Sequence, residues 1–119
     1  MKVLEAIHAF DCLKPNAYSQ EQKVDWLDRL DCFVAAAILE KFPRKKLPLP
    51  EWGNPDRVLL MEPPFDEAYL HWLECKIHYY NEETDRYNAA VRMFRAVFED
   101  YQKTLIRRED PGSAGCFLI

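Results

Sequence analysis

Residues 65–109 read FDEAYLHWLECKIHYYNEETDRYNAAVRMFRAVFEDYQKTLIRRE, and this stretch decides the fold class of the 119-residue chain. It contains neither glycine nor proline, the two residues that most strongly interrupt a helix. Its apolar and aromatic residues recur at steps of three and four, which is the spacing of one face of an α-helix. These positions are Tyr69, Leu73, Ile77, Tyr80, Tyr87, Val91, Phe94, Phe98 and Tyr101. The pattern predicts helix on both sides of the Tyr80–Tyr87 interval.

The length of this helical stretch leaves two interpretations open. A single helix of about forty residues would be ~60 Å long. A compact domain of this size has a radius of gyration of only ~13–14 Å. The chain therefore either projects a long helix into a partner or bends back as a hairpin near Asn81 or Asn88. The hairpin is preferred because a single helix would extend well beyond the core.

Two further helices are predicted in the first third of the chain. One covers residues 2–13 and ends before Pro15, which disfavours helical geometry at the preceding residue. The next begins at Ser19, where Gln22 completes a capping box, and ends at Pro43. No strand-like alternation bounded by turn residues occurs. We therefore predict an all-α protein: a small bundle of three to four helices, with a long proline-rich loop before a long C-terminal helix or helical hairpin.

That loop, residues 43–64, contains six of the eight prolines. It is longer than an ordinary connection in a compact domain, and such loops are usually functional or mobile. Six of its residues are candidates for an interface: Arg44, Lys45, Lys46, Leu47, Leu49 and Trp52. The basic run could contact DNA or an acidic protein surface, although short charged runs are more often solvated. The two leucines need an apolar surface, and the tryptophan could anchor a partner or fold back on its own core.

Composition limits the class of protein. Apolar residues make up 49% of the chain and charged residues 30%, which predicts one folded domain over residues 1–110, followed by a flexible C-terminal tail at 111–119. The net charge of −4 argues against a protein that coats nucleic acid. The longest apolar run, Phe33–Leu39, is too short to span a membrane, and residues 1–5 lack the apolar stretch of a signal peptide. A cytoplasmic protein is expected.

No catalytic signature is present in the sequence. It contains no glycine-rich phosphate loop, no HExxH and no Gly-x-Ser-x-Gly motif, so we expect neither an enzyme nor a cofactor. His71, Cys75 and His78 share one helix face and could contribute ligands to Zn²⁺. A structural zinc site needs four ligands, so partly buried polar side chains are the preferred interpretation.

A set of short motifs follows one another in a distinctive order. In chain order they are Leu13-Lys14-Pro15-Asn16-Ala17-Tyr18-Ser19, Lys23, Trp26-Leu27, Leu30-Asp31, Leu59-Leu60, Pro64-Phe65-Asp66-Glu67-Ala68-Tyr69, Trp72-Leu73-Glu74, Tyr87-Asn88, Phe94 and Phe98. Together they resemble a family of small helical proteins of tailed bacteriophages and prophages, similar to the head–tail connector (adaptor) proteins. The resemblance covers roughly residues 3–105.

Three positions depart from the pattern of that family. Cys32 and Glu82 stand where glycine is usual or frequent, and Glu62 stands where a first proline is common. Because glycine readily interrupts a helix, its absence at position 82 favours a continuous helix here.

The resemblance implies a structural role. Proteins of this kind bind the portal at the capsid vertex as a ring of about a dozen copies and extend the DNA channel toward the tail. The implied partners are other copies of the chain, the portal protein and a head-completion (stopper) or tail protein. DNA would pass through without specific binding, and no membrane is involved. The implied location is the host bacterial cytoplasm during assembly and then the virion.

The charges along the chain are unevenly distributed. Acidic residues dominate the earlier part of the 65–109 stretch, and basic residues cluster near its end. Such polarity suits the helix dipole and would also allow head-to-tail contacts around a ring.

The alternative is a small helical regulatory or accessory phage protein that binds DNA or a host factor. A DNA-binding helix needs exposed basic side chains. The second predicted helix carries only Lys23, Arg29 and Lys41 among many acids, so this alternative ranks lower.

Overall fold

Four α-helices form most of the part of the chain that the structure describes, residues 1–47 and 51–109. The structure is a computed structural model. In order the helices are α1 (Val3–Leu13), α2 (Gln20–Lys41), α3 (Glu67–Tyr80) and α4 (Thr84–Glu109). Within the described residues the strand-like pairing is a single antiparallel bridge between Lys2 and Val58. The prediction of a small all-α bundle is confirmed.

The ends of α2 follow the predicted signals closely. The Ser19 hydroxyl accepts a hydrogen bond from the Gln22 backbone N–H at 3.2 Å, and the Gln22 side chain accepts one from the Ser19 N–H at 3.3 Å. These two bonds satisfy donors that would otherwise be free at a helix start. Phe42 caps the other end, and Pro43 follows it. Helix α1 begins at Val3, one residue later than predicted.

The long C-terminal stretch is a hairpin, and it bends at the first of the two predicted places. Helix α3 ends at Tyr80, Asn81 caps it and α4 begins at Thr84. Asn88 lies inside α4.

The expectation that Glu82 would favour a continuous helix is wrong. Glu82 takes a positive φ of 59°, the conformation that glycine adopts most easily. Three backbone hydrogen bonds hold this turn: the Asn81 N–H donates to the Ile77 carbonyl at 2.9 Å, the Glu82 N–H to the Tyr79 carbonyl at 3.2 Å and the Glu83 N–H to the His78 carbonyl at 2.9 Å. Contacts across the hairpin compensate the conformational cost at Glu82. They include Trp72 against Phe94, with ring centroids 5.3 Å apart.

The helices share one core. Buried residues come from α1, α2, the loop, α3 and α4; among them are Val3, Ile7, Phe10, Leu27, Leu30, Val34, Leu59, Met61, Tyr69, Leu73 and Tyr101. Helix α2 lies antiparallel to α3, since the start of α2 contacts the end of α3 and Asp31 contacts Tyr69. The later half of α2 packs beside the later half of α4, where Phe33 meets Phe98.

This packing gives the molecule two distinct ends along its 51 Å longest dimension. We call "the tip" the end formed by the start of α2 and the α3–α4 turn, residues 20–25 and 79–87. We call "the base" the opposite end, formed by the last turn of α2, residues 42–47 and the last turns of α4, residues 102–107. The tip and the base are used below in these senses.

The proline-rich loop does not project from the bundle over its described part from residue 51 onward. Its backbone carbonyls accept hydrogen bonds from the start of α1: Val3 N–H donates to the Arg57 carbonyl and Leu4 N–H to the Pro55 carbonyl, both at 2.9 Å. The Lys2 side chain makes no capping hydrogen bond to the helix, so the loop supplies acceptors that the α1 start needs. This part of the loop is therefore part of the folded scaffold.

Two predictions fall outside the described residues. Leu49 lies in the segment 48–50, and the predicted tail at 111–119 lies beyond residue 109. Among the helices of the described part, none is both long and apolar enough to cross a membrane.

Candidate interaction surface

The described interface candidates of the loop lie in two separate places. Arg44, Lys45, Lys46 and Leu47 follow the end of α2 at the base, where Leu47 packs against the core. Trp52 lies beside the first half of α2, next to Gly53, whose N–H donates to Asp28 at 2.8 Å. These two places are separated by about 20 Å along α2. The described candidates therefore do not form one small patch.

A buried ion network holds the loop to α2. The Arg57 guanidinium donates to Asp31 at 2.7 Å and to Asp28 at 2.8 Å. The Arg57 side chain is 5% exposed and that of Asp31 is fully buried. Burial lowers the pKa of Arg57, but the hydrogen bonds that it donates to the two aspartates, together with their negative charges, outweigh burial, and the net shift is upward. The arginine is therefore charged, and the network is a true ion pair within the core.

Asp31 joins the same network to α3. It accepts a 2.5 Å hydrogen bond from the Tyr69 hydroxyl and a 3.2 Å bond from the Leu60 N–H. The Tyr69 oxygen in turn accepts from the Met61 N–H at 2.8 Å. Burial, together with the nearby charge of Asp31, raises the pKa of Tyr69, so its hydroxyl stays protonated and acts as donor. One carboxylate thus ties together α2, the loop and α3.

The sequence interpretation missed this network, although it held a signal. Asp28 and Asp31 fall on the apolar face of α2, among Leu27, Leu30 and Val34. Charged residues are almost never fully buried unless they are paired. Two acids at core positions therefore predict a buried basic partner. The sequence alone did not identify that partner as Arg57.

Trp52 combines the two roles that its sequence position left open. Its ring covers the Arg57 guanidinium, with 4.9 Å between the arginine carbon and the ring centroid. The residue is nevertheless 45% exposed. One face of the ring therefore shields the buried ion network, and the rest stays accessible to a partner.

A second polar cluster lines a cleft of about 510 Å³ between the α1–α2 turn and the α3–α4 turn. Lys14 pairs with Glu74, and the two ring nitrogens of His78 lie 3.3 Å from Glu74 and 3.2 Å from Glu83. The Tyr18 hydroxyl donates to the Asn81 side chain at 2.6 Å. Because these groups bind one another across the two turns, the cluster stabilises the contact between the α1–α2 turn and the α3–α4 turn.

The histidines and the buried cysteine of α3 serve structural contacts. His71 pairs with Glu67 at 3.2 Å, one turn earlier on the same helix. Burial raises the pKa of the Cys75 thiol to about 11, so the reactive thiolate is scarce at neutral pH. Within residues 1–47 and 51–109 no group of three or more potential ligands is arranged to hold a metal ion.

The groove between α2 and α4 exposes an aromatic side chain at its edge. Phe33 of α2 is 61% exposed. Phe33 rests on Phe98, with ring centroids 6.0 Å apart, and Phe98 stacks on Phe94 at 5.5 Å. Exposed apolar side chains held by rigid helices are the usual material of protein–protein contacts. We call Phe33 and the two rings beneath it the α2–α4 face.

Most of the quoted sequence motifs lie in the scaffold. Asp31 and Tyr69 belong to the buried network, and Lys23 is buried in an ion pair with Asp11 at 2.7 Å. Of the motif residues, Phe94 and Phe98 form part of the α2–α4 face. Comparison of the chain with known protein families, with curated proteins and with solved structures found no match in any of the three. The function is therefore argued from the motifs and from the exposed surfaces.

Proposed function

We propose that this protein is a structural head–tail connector of a tailed phage or prophage and that it has no catalytic activity. In this role it assembles as a ring on the portal vertex and extends the DNA channel toward the tail. Its partners are other copies of itself, the portal protein and a head-completion or tail protein. The proposal rests on the ordered motifs of residues 13–98 together with the surfaces described above.

The observation that carries the proposal is the α2–α4 face. Phe33 remains 61% exposed although it stands on a helix whose other side is well packed. Burying such a side chain against a partner, either a neighbouring copy or the portal, contributes about 1.5–3 kcal/mol.

The charge of the chain is compatible with a channel through which DNA slides. The net charge is −4, so phosphates meet mostly like charge and nonspecific adhesion is weak. The ion network at Arg57 supports the same role, because it keeps the described part of the loop in a defined position for contacts between subunits.

Binding to the cognate portal ring tests the proposal. Wild-type protein mixed with isolated portal should form a stoichiometric complex in which electron microscopy shows an added ring of density. Phe33→Glu places a charge in the α2–α4 face and should reduce this complex strongly. Leu13→Glu is the matched control: Leu13 is 71% exposed on α1, outside that face, and its replacement should leave binding unchanged.

Two results would contradict the proposal. One is an absence of association between the wild-type protein and the cognate portal at every salt concentration. The other is equal binding by wild type, Phe33→Glu and Leu13→Glu, which would show that the α2–α4 face takes no part.

The alternative is a small helical accessory phage protein that regulates other components by binding DNA or a host factor. The observation in its favour is the base, where Arg44 and Lys46 stand exposed beside basic residues of α4. It predicts duplex DNA binding that weakens steeply with salt, at a slope of about −0.9 per neutralised phosphate. A mobility-shift titration at several salt concentrations separates it from the connector role, and so do the neighbouring genes.

A further inference from the structure

The base carries an excess of exposed positive charge. Lys41 ends α2, Arg44 and Lys46 follow it, and Lys103 and Arg107 stand on the last turns of α4. All five side chains are exposed, and none makes an ion pair with a described side chain. The packing of α2 beside α4 brings them to one end, although about sixty residues separate the two groups in the chain.

The tip carries the opposite charge together with exposed aromatic rings. Glu21, Glu82 and Asp85 are exposed there and make no ion pair with a described side chain. Tyr79 and Tyr80 are 57% and 56% exposed, and their rings meet edge to face at 5.2 Å. Tyrosine faces attract guanidinium and ammonium groups, and tyrosine is enriched at the centres of interfaces.

We infer that the tip of one copy of this chain binds the base of a second copy, so that copies associate head to tail. The inference deepens the proposed ring and rests on that proposed function, since it names the surfaces through which neighbouring copies meet. The occupant of each end is identified by charge complementarity. Within one molecule the two ends lie too far apart to neutralise each other.

The same charges disfavour another arrangement. Copies that stand side by side in parallel bring base beside base and tip beside tip, and like charges in contact repel. A head-to-tail contact pairs opposite charges at each interface, and it closes into a ring when each copy is rotated by a fixed fraction of a turn relative to the copy before it. Neighbouring copies would therefore meet through their ends, with the α2–α4 face left for the flanks of that contact or for the portal.

Charge reversal tests the inference directly. Arg44→Glu/Lys46→Glu/Lys103→Glu makes the base acidic, because three of its five positive charges become negative, and Glu82→Lys/Asp85→Lys makes the tip basic, because two of its three negative charges become positive. Each variant alone then has two ends of like charge, and its self-association should fall at least about tenfold relative to wild type. An equimolar mixture of the two variants restores opposite charges at every contact, so association should return. Sedimentation velocity over a range of protein concentrations measures all three.

The controls separate this contact from other effects. Arg92→Glu/Arg95→Glu reverses two charges in the middle of α4, as many as the tip variant reverses, and should leave association at the wild-type level. Wild-type association should vanish at about 1 M salt, where the screening length falls to about 3 Å. Circular dichroism establishes that each variant is folded before its association is compared.

The inference is overturned if wild type stays monomeric at low salt at the highest soluble concentration, or if the mixture of reversed variants associates no better than each alone. Neither result bears on whether the protein binds the portal. If the protein binds the portal as a ring but fails the mixing test, the proposed function stands and the contact between tip and base is refuted. If it passes the mixing test but does not bind the portal, the contact between tip and base stands and the proposed function is refuted.

Discussion

Asp31 is the residue on which three parts of the molecule depend. Its carboxylate accepts from Arg57 of the loop, from the Tyr69 hydroxyl of α3 and from the Leu60 N–H. A buried ion pair adds little stability by itself, but removing one partner leaves an uncompensated charge in the core. The network therefore selects one arrangement of the loop over alternatives.

Replacing Asp31 with asparagine should lower the free energy of unfolding by about 1.5–3 kcal/mol, because Arg57 and the Tyr69 hydroxyl lose a charged acceptor in the core while Asp28 still pairs with Arg57. Asp25→Asn is the matched control on the same helix. Asp25 pairs with Arg29 at an exposed site, where such a pair contributes about 0.3–0.5 kcal/mol. Urea denaturation of the two variants measures the difference. Equal losses of unfolding free energy would show that the buried network contributes no more to stability than the exposed pair.

Glu82 is the non-glycine residue of the described chain whose backbone φ is positive, a conformation that a side chain disfavours. Glu82→Gly should raise the free energy of unfolding by about 0.5–1 kcal/mol, because glycine adopts its φ of 59° without steric conflict. Ala89→Gly, at an exposed position inside α4, should instead lower it by about 1 kcal/mol. Thermal unfolding of both variants shows whether each substitution raises or lowers stability. A destabilised Glu82→Gly protein would mean that the side chain, and not the turn geometry, matters there.

Glu74 makes the fold sensitive to acid. Burial raises its pKa, but hydrogen bonds from Lys14 and His78 outweigh this, so the pKa lies below its ordinary value of 4.5. A lowered pKa contributes stability that is present above pH 4.5 and is lost as the pH falls through the folded-state value.

Glu74→Gln removes that contribution, so the variant should be less stable than wild type at neutral pH and should approach it in acid. Urea midpoints measured from about pH 7 to about pH 3 test this. Glu99→Gln, at an exposed site on α4, should follow the wild-type curve. A constant offset between Glu74→Gln and wild type at all pH values would refute the electrostatic origin.

At the scale of the element, the aromatic seam of residues 69–101 is shared between two helices. The part of the seam on α3 that faces the core is Tyr69, Leu73 and Ile77. The part on α4 that packs against the same core is Phe94, Phe98 and Tyr101. The spacing continues across the turn, with Thr84 in register, so the periodicity alone does not mark where α3 ends. A hairpin lets both halves bury apolar surface in one core, which a straight helix of that length cannot do.

Substitutions at Leu73 and Met93 distinguish the buried face of this hairpin from its exposed face. Leu73→Ala should lower the free energy of unfolding by about 2–5 kcal/mol, because the fully buried side chain leaves a cavity. Met93→Ala, at a residue 53% exposed, should change it by no more than about 0.5 kcal/mol. Chemical denaturation of the purified protein measures both. A neutral Leu73→Ala would place that side chain against a partner and not in its own core.

At the scale of the whole molecule, core and contact surfaces occupy different places. The buried network joins α2, α3 and the described part of the loop, the Lys14–Glu74 ion pair joins the end of α1 to α3, and contacts such as Trp72 against Phe94 join α4 to α3. The α2–α4 face, the tip and the base lie outside this scaffold and are left for contacts. The proposed connector role would need this division, because many copies must meet through their surfaces without disturbing their cores.

Local signals in the sequence were sufficient for the all-α class and for the limits of α2, and they favoured a hairpin bent near Asn81 or Asn88 without deciding between the two places. Helix spacing, the Ser19 capping box and the proline positions each act over a few neighbouring residues, so they can be read without knowing the fold. Only the tertiary structure paired Arg57 with Asp28 and Asp31, placed Trp52 far from the basic run and gathered Lys41 with Lys103 at the base. These relations join residues some 20 to 60 positions apart, and the packing of the helices sets them, not the order of residues.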